Sequence, residues 1–559
     1  MSGSNDERVG AGAIAEGMSC IESDREEDAF RPLPVQSDDL DPGEHQSPLG
    51  EPSSARAATD SLASGLAFML VLTVVQRLVG FVRSILFCSL LQDDELGRWS
   101  LAFSFLMLAA PLAVFGLPGS FGRYVEHYRG RSQLGTFLRR TVIVSSVFVA
   151  LTVGVLLWWA PFWAWLILGD AELAFTMRVL ALVLVAVIAS NFVTELLTAM
   201  RKVRAVSVMQ FASSMLFATI GIGLISFTPL REKAVIIAFG VASLVAVLVA
   251  MKPLQSVRRE AGAARGTLSQ RSLWQKLVPF AVWMWLTNLL SNLFEAADRF
   301  MIVHFSPDTV KNAESLVGQY HASRVVPCVL IAITALVAGV ILPYLSHDWE
   351  AGRWRTVWRG QALTLKLGSL ILTVCGLLIL LAAPLLFGWV LRGKYDQGLD
   401  VLPWTVTYCI WFSLIALGQN YLLCVEKARL GAMAFFAGLA LNLALNLVLL
   451  PRFGLIGAIM ATTAGNVTAM LLVLYFSARH GLTMDRHLMF CCGLPAVLVL
   501  GPWPALAAVL TLALFAVRRQ WLFDDEDREI MVGVVSHFSN RWGQWFRRKW
   551  FTRKHPTAA

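Results

Sequence analysis

The stretch at residues 61–100 reads SLASGLAFMLVLTVVQRLVGFVRSILFCSLLQDDELGRWS, and the rest of the chain repeats its pattern. An apolar segment from Ser61 to Leu91 is followed by a short acidic loop, Gln92 to Glu95. A helix of about 20 apolar residues is long enough to cross a hydrocarbon core of about 30 Å. We therefore predict that this stretch is the first of a series of membrane-spanning helices.

The composition of the whole chain is typical of a polytopic membrane protein. Of its 559 residues, 56% are hydrophobic and 15% are charged, whereas soluble domains carry about a quarter charged residues. Because apolar segments recur as far as residue 517, we predict an all-α membrane protein with about fourteen transmembrane helices. The last two segments are short, so residues 487–517 are interpreted either as two spans or as one re-entrant hairpin.

The formal net charge of +9 combines two opposed parts. Residues 1–60 hold fourteen Asp and Glu against four Lys and Arg, a net of −10, so the remainder carries +19. The basic residues fall in alternate loops between the apolar segments, as the positive-inside rule describes. We predict a multi-pass protein of the bacterial inner membrane with both termini in the cytoplasm, and we predict no nucleic-acid partner.

The two ends of the chain differ from the apolar part. Residues 1–60 are acidic and rich in Ser, Pro and Gly, which predicts a disordered cytoplasmic tail. Near the other end, Trp542, Trp545, Phe546 and Trp550 fall on one helical face among basic residues. A helix of this kind lies on an anionic leaflet, so membrane lipids are predicted partners of the C-terminal tail.

Two local matches indicate an internal repeat. Gly97 corresponds to Gly318, 221 residues later, and the basic loop at residues 201–204 corresponds to residues 426–429, 225 residues later. A unit with an even number of helices returns the chain to its starting side, so the two six-helix halves are predicted to be parallel repeats. Proteins built in this way hold a substrate between the repeats and alternate its access to the two sides.

These patterns divide the chain into six parts. The predicted parts are the acidic tail at 1–60, the first six-helix lobe at 61–251, a basic linker at 252–271, the second six-helix lobe at 272–478, the additional helix pair at 487–517 and the basic aromatic tail at 518–559.

Charged residues inside the apolar segments are the candidates for function. A charge at the centre of a spanning helix costs roughly 2.5–3.5 kcal/mol on insertion scales, so such residues are expected to face a cavity or a partner. Cations exceed anions here, and arginine binds phosphate with bidentate geometry, which predicts a cavity that attracts an anion such as the diphosphate of a lipid-linked sugar. The candidates for this anion cavity are Arg77, Arg83, Arg299 and Arg324.

Three carboxylates and four prolines complete the set of candidates. Glu195, Asp298 and Glu295 are candidates for coupling or for pairing helices, and Glu295 is spaced to neutralise Arg299 one turn away. Prolines in spanning helices free backbone carbonyls and permit kinks. The kink candidates are Pro111, Pro118, Pro327 and Pro343.

The chain resembles the polysaccharide exporters and O-antigen-type flippases of the multidrug/oligosaccharidyl-lipid/polysaccharide superfamily over roughly residues 60–520. The stretches that carry the resemblance are RLVGFVR (77–83), DELGRW (94–99), FGLP (115–118), RYVE (123–126), ADRF (297–300), VGQY (317–320), Asn442, Asn446, PRFGLIGA (451–458) and AT (461–462).

The resemblance implies a two-lobed, V-shaped bundle of about twelve core helices plus two more. It implies flipping of a polyprenyl-diphosphate-linked oligosaccharide for cell-surface polysaccharide assembly, for example lipopolysaccharide O-antigen. Coupling to a proton or sodium gradient is the expectation, with no resident cofactor or metal. A polysaccharide polymerase and glycosyltransferases are the protein partners that it implies.

Other functions differ in the features that they require. A flippase for the peptidoglycan lipid precursor would share the cationic cavity. A cation-coupled multidrug exporter is less favoured, because the first apolar segment carries no carboxylate. A scaffold that recruits glycosyltransferases would act through its tails. A membrane enzyme such as a polymerase or ligase is not predicted, because no catalytic motif appears and the longest loop on the outer side, residues 306–317, has about a dozen residues.

Overall fold

The computed structural model describes residues 53–262, 269–307 and 310–519. These residues form helices and turns, and no strand occurs among them. The predicted all-α class is therefore confirmed. The predicted N- and C-terminal tails lie outside the described residues, except for residues 53–60 at one end and 518–519 at the other.

The helices of the first half carry the labels α1 to α9. They are α1 (Ser53–Leu90), α2 (Asp93–Ala113), α3 (Phe121–Gly130), α4 (Leu134–Trp158), α5 (Ala160–Leu168), α6 (Ala174–Ala199), α7 (Val203–Phe227), α8 (Glu232–Val249) and α9 (Met251–Gly262), with 3-10 turns at Pro118–Ser120 and Ala171–Leu173. The first helix begins ahead of the predicted boundary at residue 61, because Arg56, Ala57 and Ala58 are good helix formers.

The helices of the second half carry the labels α10 to α18. They are α10 (Gln270–Phe305), α11 (Val310–Val325), α12 (Pro327–Glu350), α13 (Trp354–Leu385), α14 (Asp396–Asp400), α15 (Leu402–Cys424), α16 (Ala428–Arg479), α17 (Arg486–Gly493) and α18 (Pro502–Arg519), with a π-helical turn at Leu386–Val390 and a 3-10 helix at Leu494–Leu500.

Within the described residues, ten helical stretches are long and apolar enough to cross a membrane, judged by length and composition. One of them, α16, is two helices that meet at Gly454, where φ is 57° and ψ is −136°. The two helices of α16 fold back on each other, and Gly438 of one packs against Gly465 of the other backbone to backbone. The count of about fourteen spans stays a prediction.

The terminal helix pair packs against α13 and α15. Trp411 of α15 donates its indole N–H to the carbonyl of Cys492 at 3.0 Å, and Lys366 of α13 pairs with Asp485 at 2.7 Å. The 8 residues of α17 and the 7 residues of the 3-10 helix that follows rise roughly 26 Å together. That length is shorter than a hydrocarbon core of about 30 Å, so two spans and a re-entrant hairpin both stay predictions.

The two halves meet where α2 crosses α11, and two glycines allow the contact. A Cβ on Gly97 would stand 1.8 Å from the carbonyl oxygen of Glu314, and a Cβ on Gly318 would stand 1.8 Å from that of Asp93. The offset of 221 residues that relates Gly97 to Gly318 also relates Asp93 to Glu314. Each half therefore presents the same helix position to the other, which is what a two-fold relation between repeats requires.

An apolar core lies in the first half at the end away from the α2–α11 crossing. The N-terminal part of α10, through Leu273, Leu277 and Ala281, packs with Phe121 of α3 and Leu197 of α6. Farther along, Phe294 and Ala297 of α10 pack against Leu439 of α16. The helix thus contacts both halves, so the predicted second lobe at 272–478 begins with residues that pack on the first.

Candidate functional site

The largest cavity described lies between helices of the first half and the start of α12. Its volume is about 790 Å³, and Arg77 and Arg83 of α1 are the charged residues that line it. Among the described residues that line it there is no Asp or Glu. The other polar lining residues offer hydroxyl and amide groups: Gln76, Ser84, Ser190, Asn191, Thr194, Gln210, Ser213, Ser214 and Ser243. The cavity is therefore positively charged and rich in neutral hydrogen-bonding groups.

The two arginines of this cavity are held differently. Arg83 places its guanidinium 4.2 Å from the centre of the Phe217 ring, a cation–π contact that fixes its direction. Arg77 is exposed to the cavity and forms no ion pair with another described residue. Arg77 also lines the adjoining cavity, so it connects the two.

The adjoining cavity of about 280 Å³ lies against the second half and contains two more of the predicted residues, Arg324 and Glu295. The guanidinium of Arg324 lies 3.3 Å from the carboxylate of Glu295. This pair replaces the predicted Glu295–Arg299 pair. The reason is that Arg324, arriving from α11, is buried beside Glu295, whereas Arg299 turns toward α2.

Asp298 lines the same cavity from a buried position on α10. Its carboxylate accepts hydrogen bonds from Asn442 and Asn446 at 3.0 Å each, from Thr462 at 2.6 Å and from Tyr320 at 3.0 Å. The donors come from α11 and from both halves of α16. All four partners are neutral hydrogen-bond donors, and none of them is a cation.

Arg299 does not line either of the cavities that contain Arg77. It is buried, and one terminal nitrogen donates to the hydroxyl of Ser104 in α2 at 2.6 Å. The sequence placed Arg299 with the other arginines because it is intramembrane, but one residue along a helix turns a side chain by about 100°. Arg299 therefore joins α10 to α2.

A third cavity of about 330 Å³ contains Glu195 and adjoins the largest one, with which it shares Met107, Asn191 and Thr194. Trp285, Asn288 and Asn292 of α10 line its opposite wall, together with Pro111 and Pro118. Amides, a carboxylate and an indole ring offer the hydrogen bonds and the flat apolar face that a sugar needs.

The kink candidates occupy two kinds of position. Pro111 and Pro343 lie inside α2 and α12. Pro118 and Pro327 stand at the starts of a 3-10 turn and of α12, after the preceding helix has ended. A further break lies at Gly454, where the backbone has a positive φ that glycine adopts readily.

The α2–α11 crossing carries polar contacts that the sequence analysis did not identify as functional. Arg98 binds Glu314 and Asp94 at 2.8 Å each and Glu232 at 3.5 Å. At the equivalent positions of the repeat, Gln319 and Ser315 donate to Asp93 at 3.4 and 2.5 Å. Burial raises the pKa of the Glu314 carboxyl, and the neighbouring guanidinium offsets part of that rise.

The end of α1 is also held by the second half. Lys394 donates to the carbonyls of Ser89 and Leu91 at 3.0 and 3.2 Å, and Tyr395 donates to that of Cys88 at 3.0 Å. A cation at a helix C-terminus is favourable because the last carbonyls lack partners within the helix. The bundle is thus closed at the end where Asp93, Arg98 and Glu314 lie.

A match over more than half of the chain decides the family. The sequence model of the family described as polysaccharide biosynthesis protein matches residues 62–349, more than half of the chain. The chain belongs to this family. The resemblance drawn from the motifs is therefore confirmed, and the protein is a multi-pass membrane protein of this family.

One curated protein has a similar sequence over part of its length. An uncharacterized membrane protein of Methanocaldococcus jannaschii, MJ1068, is 22% identical over 129 residues, which are 23% of this chain and 25% of that protein. The chain thus spans about a quarter of the length of that relative.

Two solved structures share the fold. The lipid II flippase MurJ in an inward closed conformation has a TM-score of 0.61 at 13% identity, covering 87% of this chain and 100% of that one. An inward-facing multidrug resistance MATE family transporter of the MOP superfamily has a TM-score of 0.58 at 14% identity, covering 72% and 94%. The family member therefore has the fold of these transporters.

Proposed function

We propose that the protein flips a polyprenyl-diphosphate-linked oligosaccharide across the bacterial inner membrane by alternating access. The observation that carries the proposal is the cavity of about 790 Å³ in which Arg77 and Arg83 face neutral polar groups and no carboxylate. A substrate that fits this lining has a concentrated negative charge joined to a group rich in hydroxyls. A sugar linked through a diphosphate has both.

The diphosphate is assigned to Arg77 and Arg83. Guanidinium groups bind phosphate oxygens through paired N–H donors, and these bonds are stronger where water is displaced. Arg77 forms no ion pair with a described residue, so binding a phosphate does not require breaking one. Arg324 contributes less to this site, because Glu295 already neutralises it.

The oligosaccharide is assigned to the neutral lining and to the adjoining cavity. The hydroxyls of Ser190, Ser213 and Ser214 and the amide of Asn191 can donate to and accept from sugar hydroxyls. Glu195 adds a carboxylate that accepts from two hydroxyls. The sugar-facing surface thus continues from the charged cavity into the neighbouring one.

Energy coupling is assigned to Asp298. A buried carboxylate surrounded by amide and hydroxyl groups can take up a proton or a hard monovalent cation, whose ligands are oxygen atoms. Binding would change the hydrogen bonds that join α10, α11 and α16. These helices line the adjoining cavity of about 280 Å³, which shares Arg77, Cys328 and Ala332 with the larger cavity. Occupancy of Asp298 by a proton or cation is therefore linked to the shape of the substrate site.

The closed end supplies the gate. The acidic loops at this end are the ones that the positive-inside rule assigns to the outer side. A cavity closed there takes its substrate from the cytoplasmic side, and separation of α2 from α11 releases it outward. In this orientation both termini lie in the cytoplasm. A polysaccharide polymerase and glycosyltransferases are the proposed protein partners.

A binding experiment tests the proposal. The purified protein in nanodiscs is titrated with a fluorescent polyprenyl-diphosphate oligosaccharide, and with the peptidoglycan lipid precursor for comparison. We expect Arg77→Gln and Arg83→Gln each to weaken binding roughly tenfold or more, because each removes a charged hydrogen bond. The matched control is Arg355→Gln, an exposed arginine in the first turn of α13.

The two lipids separate the closest alternatives. Tighter binding of the peptidoglycan precursor would assign that lipid as the substrate in place of the oligosaccharide. Binding of hydrophobic cations in place of either lipid would favour a multidrug exporter. Equal affinity of wild type and both cavity variants would contradict the arginine site, and dependence on the tails alone would favour a scaffold.

A further inference from the structure

A second basic concavity lies outside the cavities between the two halves. It has a volume of about 580 Å³ and is lined by Arg139 and Arg140 of α4 and by Arg258 of α9. It shares no lining residue with the cavities that contain Arg77. The concavity is therefore separate from the proposed substrate path.

Nearby carboxylates are already engaged with other arginines. Glu260 pairs with Arg129 at 2.6 Å, and Glu126 pairs with Arg129 and Arg201 at 3.5 and 3.4 Å. One terminal nitrogen of Arg140 is buried and has no hydrogen-bond partner among the described residues. A buried guanidinium nitrogen without an acceptor is costly, so the concavity favours an anionic oxygen.

The concavity lies at the end of a candidate membrane-spanning helix. The amphipathic helix α9 follows the apolar helix α8 directly, and it buries Val257 and Ala261 while Arg258 is exposed. The concavity thus lies where the spanning helices end. The positive-inside rule assigns this end to the cytoplasmic leaflet.

The surface below the concavity is apolar. Arg139, Ile143, Val147 and Leu151 follow one another at intervals of four residues, so they form one face of α4. The last three are 51%, 54% and 60% exposed. A phosphate at the arginines therefore places an acyl chain along this face, which a soluble anion would leave uncovered.

We propose that this concavity, formed by Arg139, Arg140 and Arg258, binds the phosphate of an anionic glycerophospholipid whose acyl chain lies along α4. Basic pockets between membrane helices are suited to such headgroups, because several cations meet the phosphate at low dielectric. Bound lipid joins α4 to α9, and so fixes the segment that leads from the first half to the second.

Native mass spectrometry of the full-length protein tests this assignment. The protein is released from nanodiscs that contain phosphatidylglycerol and phosphatidylcholine, and the retained lipids are counted. We expect one retained phosphatidylglycerol, and we expect the triple variant Arg139→Gln, Arg140→Gln, Arg258→Gln to weaken its binding by roughly 100-fold. The matched control removes three exposed arginines of the second half, Arg355, Arg429 and Arg486, by the same change.

A variant with lysine at the same three positions distinguishes loss of lipid binding from misfolding. It preserves the charge, so we expect it to retain much of the affinity that the glutamine variant loses. Equal retention of phosphatidylglycerol by wild type and the glutamine variant would overturn the proposal.

Three further results would also overturn it. These are retention of inorganic phosphate in place of lipid, preference of this concavity for polyprenyl diphosphate, and lipid retention that appears only when the acidic residues 1–52 are deleted. The last result would assign the concavity to that segment of the chain.

Discussion

Asp298 and Arg77 have different surroundings. Arg77 faces the cavity without an ion pair to a described residue, whereas four neutral donors surround Asp298. The sequence identified both residues, because a charge in an apolar segment is unusual. It did not identify their partners, since Asn442 and Thr462 are distant in the chain and meet only when α16 folds at Gly454.

Substitution of Asp298 by Asn is expected to uncouple transport. The variant amide presents a donor to the amides of Asn442 and Asn446, so hydrogen bonds are lost at a cost of about 1–3 kcal/mol in stability. We expect substrate binding to persist while a proton or sodium gradient no longer drives accumulation. Gradient-driven and exchange transport in proteoliposomes measure the two properties.

One outcome for Asp298→Asn would contradict the role of Asp298 in coupling. Gradient-driven transport at the wild-type rate in Asp298→Asn would remove this residue from the coupling site. Glu195→Gln is the matched variant, because Glu195 lies in a different cavity. We expect it to change substrate affinity and to leave the dependence on the gradient intact.

At the scale of elements, the sequence predicted the repeat but not the crossing of α2 and α11. The repeat match between Gly97 and Gly318 marked the two positions where the helices touch. The role of Arg98 was not predicted, because its position beside an acidic loop resembles that of an ordinary surface charge. Its partner Glu314 becomes visible only when the two halves are assembled.

Substitution of Gly97 or Gly318 by Val is expected to open this end of the bundle. A side chain at either position overlaps a backbone carbonyl of the other helix, so the helices must separate. Spin labels on α2 and α11 are expected to show longer distances in both variants than in wild type. Gly154→Val in α4 is the control, because no atom lies within 4 Å of its Cβ position.

An unchanged distance distribution in both glycine variants would contradict the proposed gate. Comparison of the Gly97 and Gly318 variants also tests the two-fold relation between the repeats. Because the two glycines occupy equivalent positions in the repeat, their effects on the distance are expected to be similar. A large effect of one and none of the other would contradict the two-fold relation.

At the scale of the whole molecule, the apolar segments predicted the helices because the bilayer permits few alternatives. The alternation of charged loops predicted the orientation of the protein in the membrane. Boundaries were less predictable: Arg56 to Ala58 extend α1 through their helix propensity, and the first part of α10 packs on the first half.

The orientation is open to a direct test. An epitope inserted between Ser306 and Pro307 is expected to be accessible from the periplasm, and one inserted between Ala351 and Gly352 from the cytoplasm. Antibody binding to spheroplasts before and after permeabilisation measures both. The reverse pattern would place the acidic loops inside and would invert the direction of the proposed transport.

The most direct test of the central claim is translocation in proteoliposomes. A fluorescent polyprenyl-diphosphate oligosaccharide is placed in both leaflets, and its movement is followed by the fraction that a membrane-impermeant reagent reaches. We predict translocation by the wild type and by Arg355→Gln, and loss of translocation in the double variant Arg77→Gln, Arg83→Gln while the protein still inserts and folds. Wild-type rates in the double variant, or no movement of this lipid with the intact protein, would contradict the account.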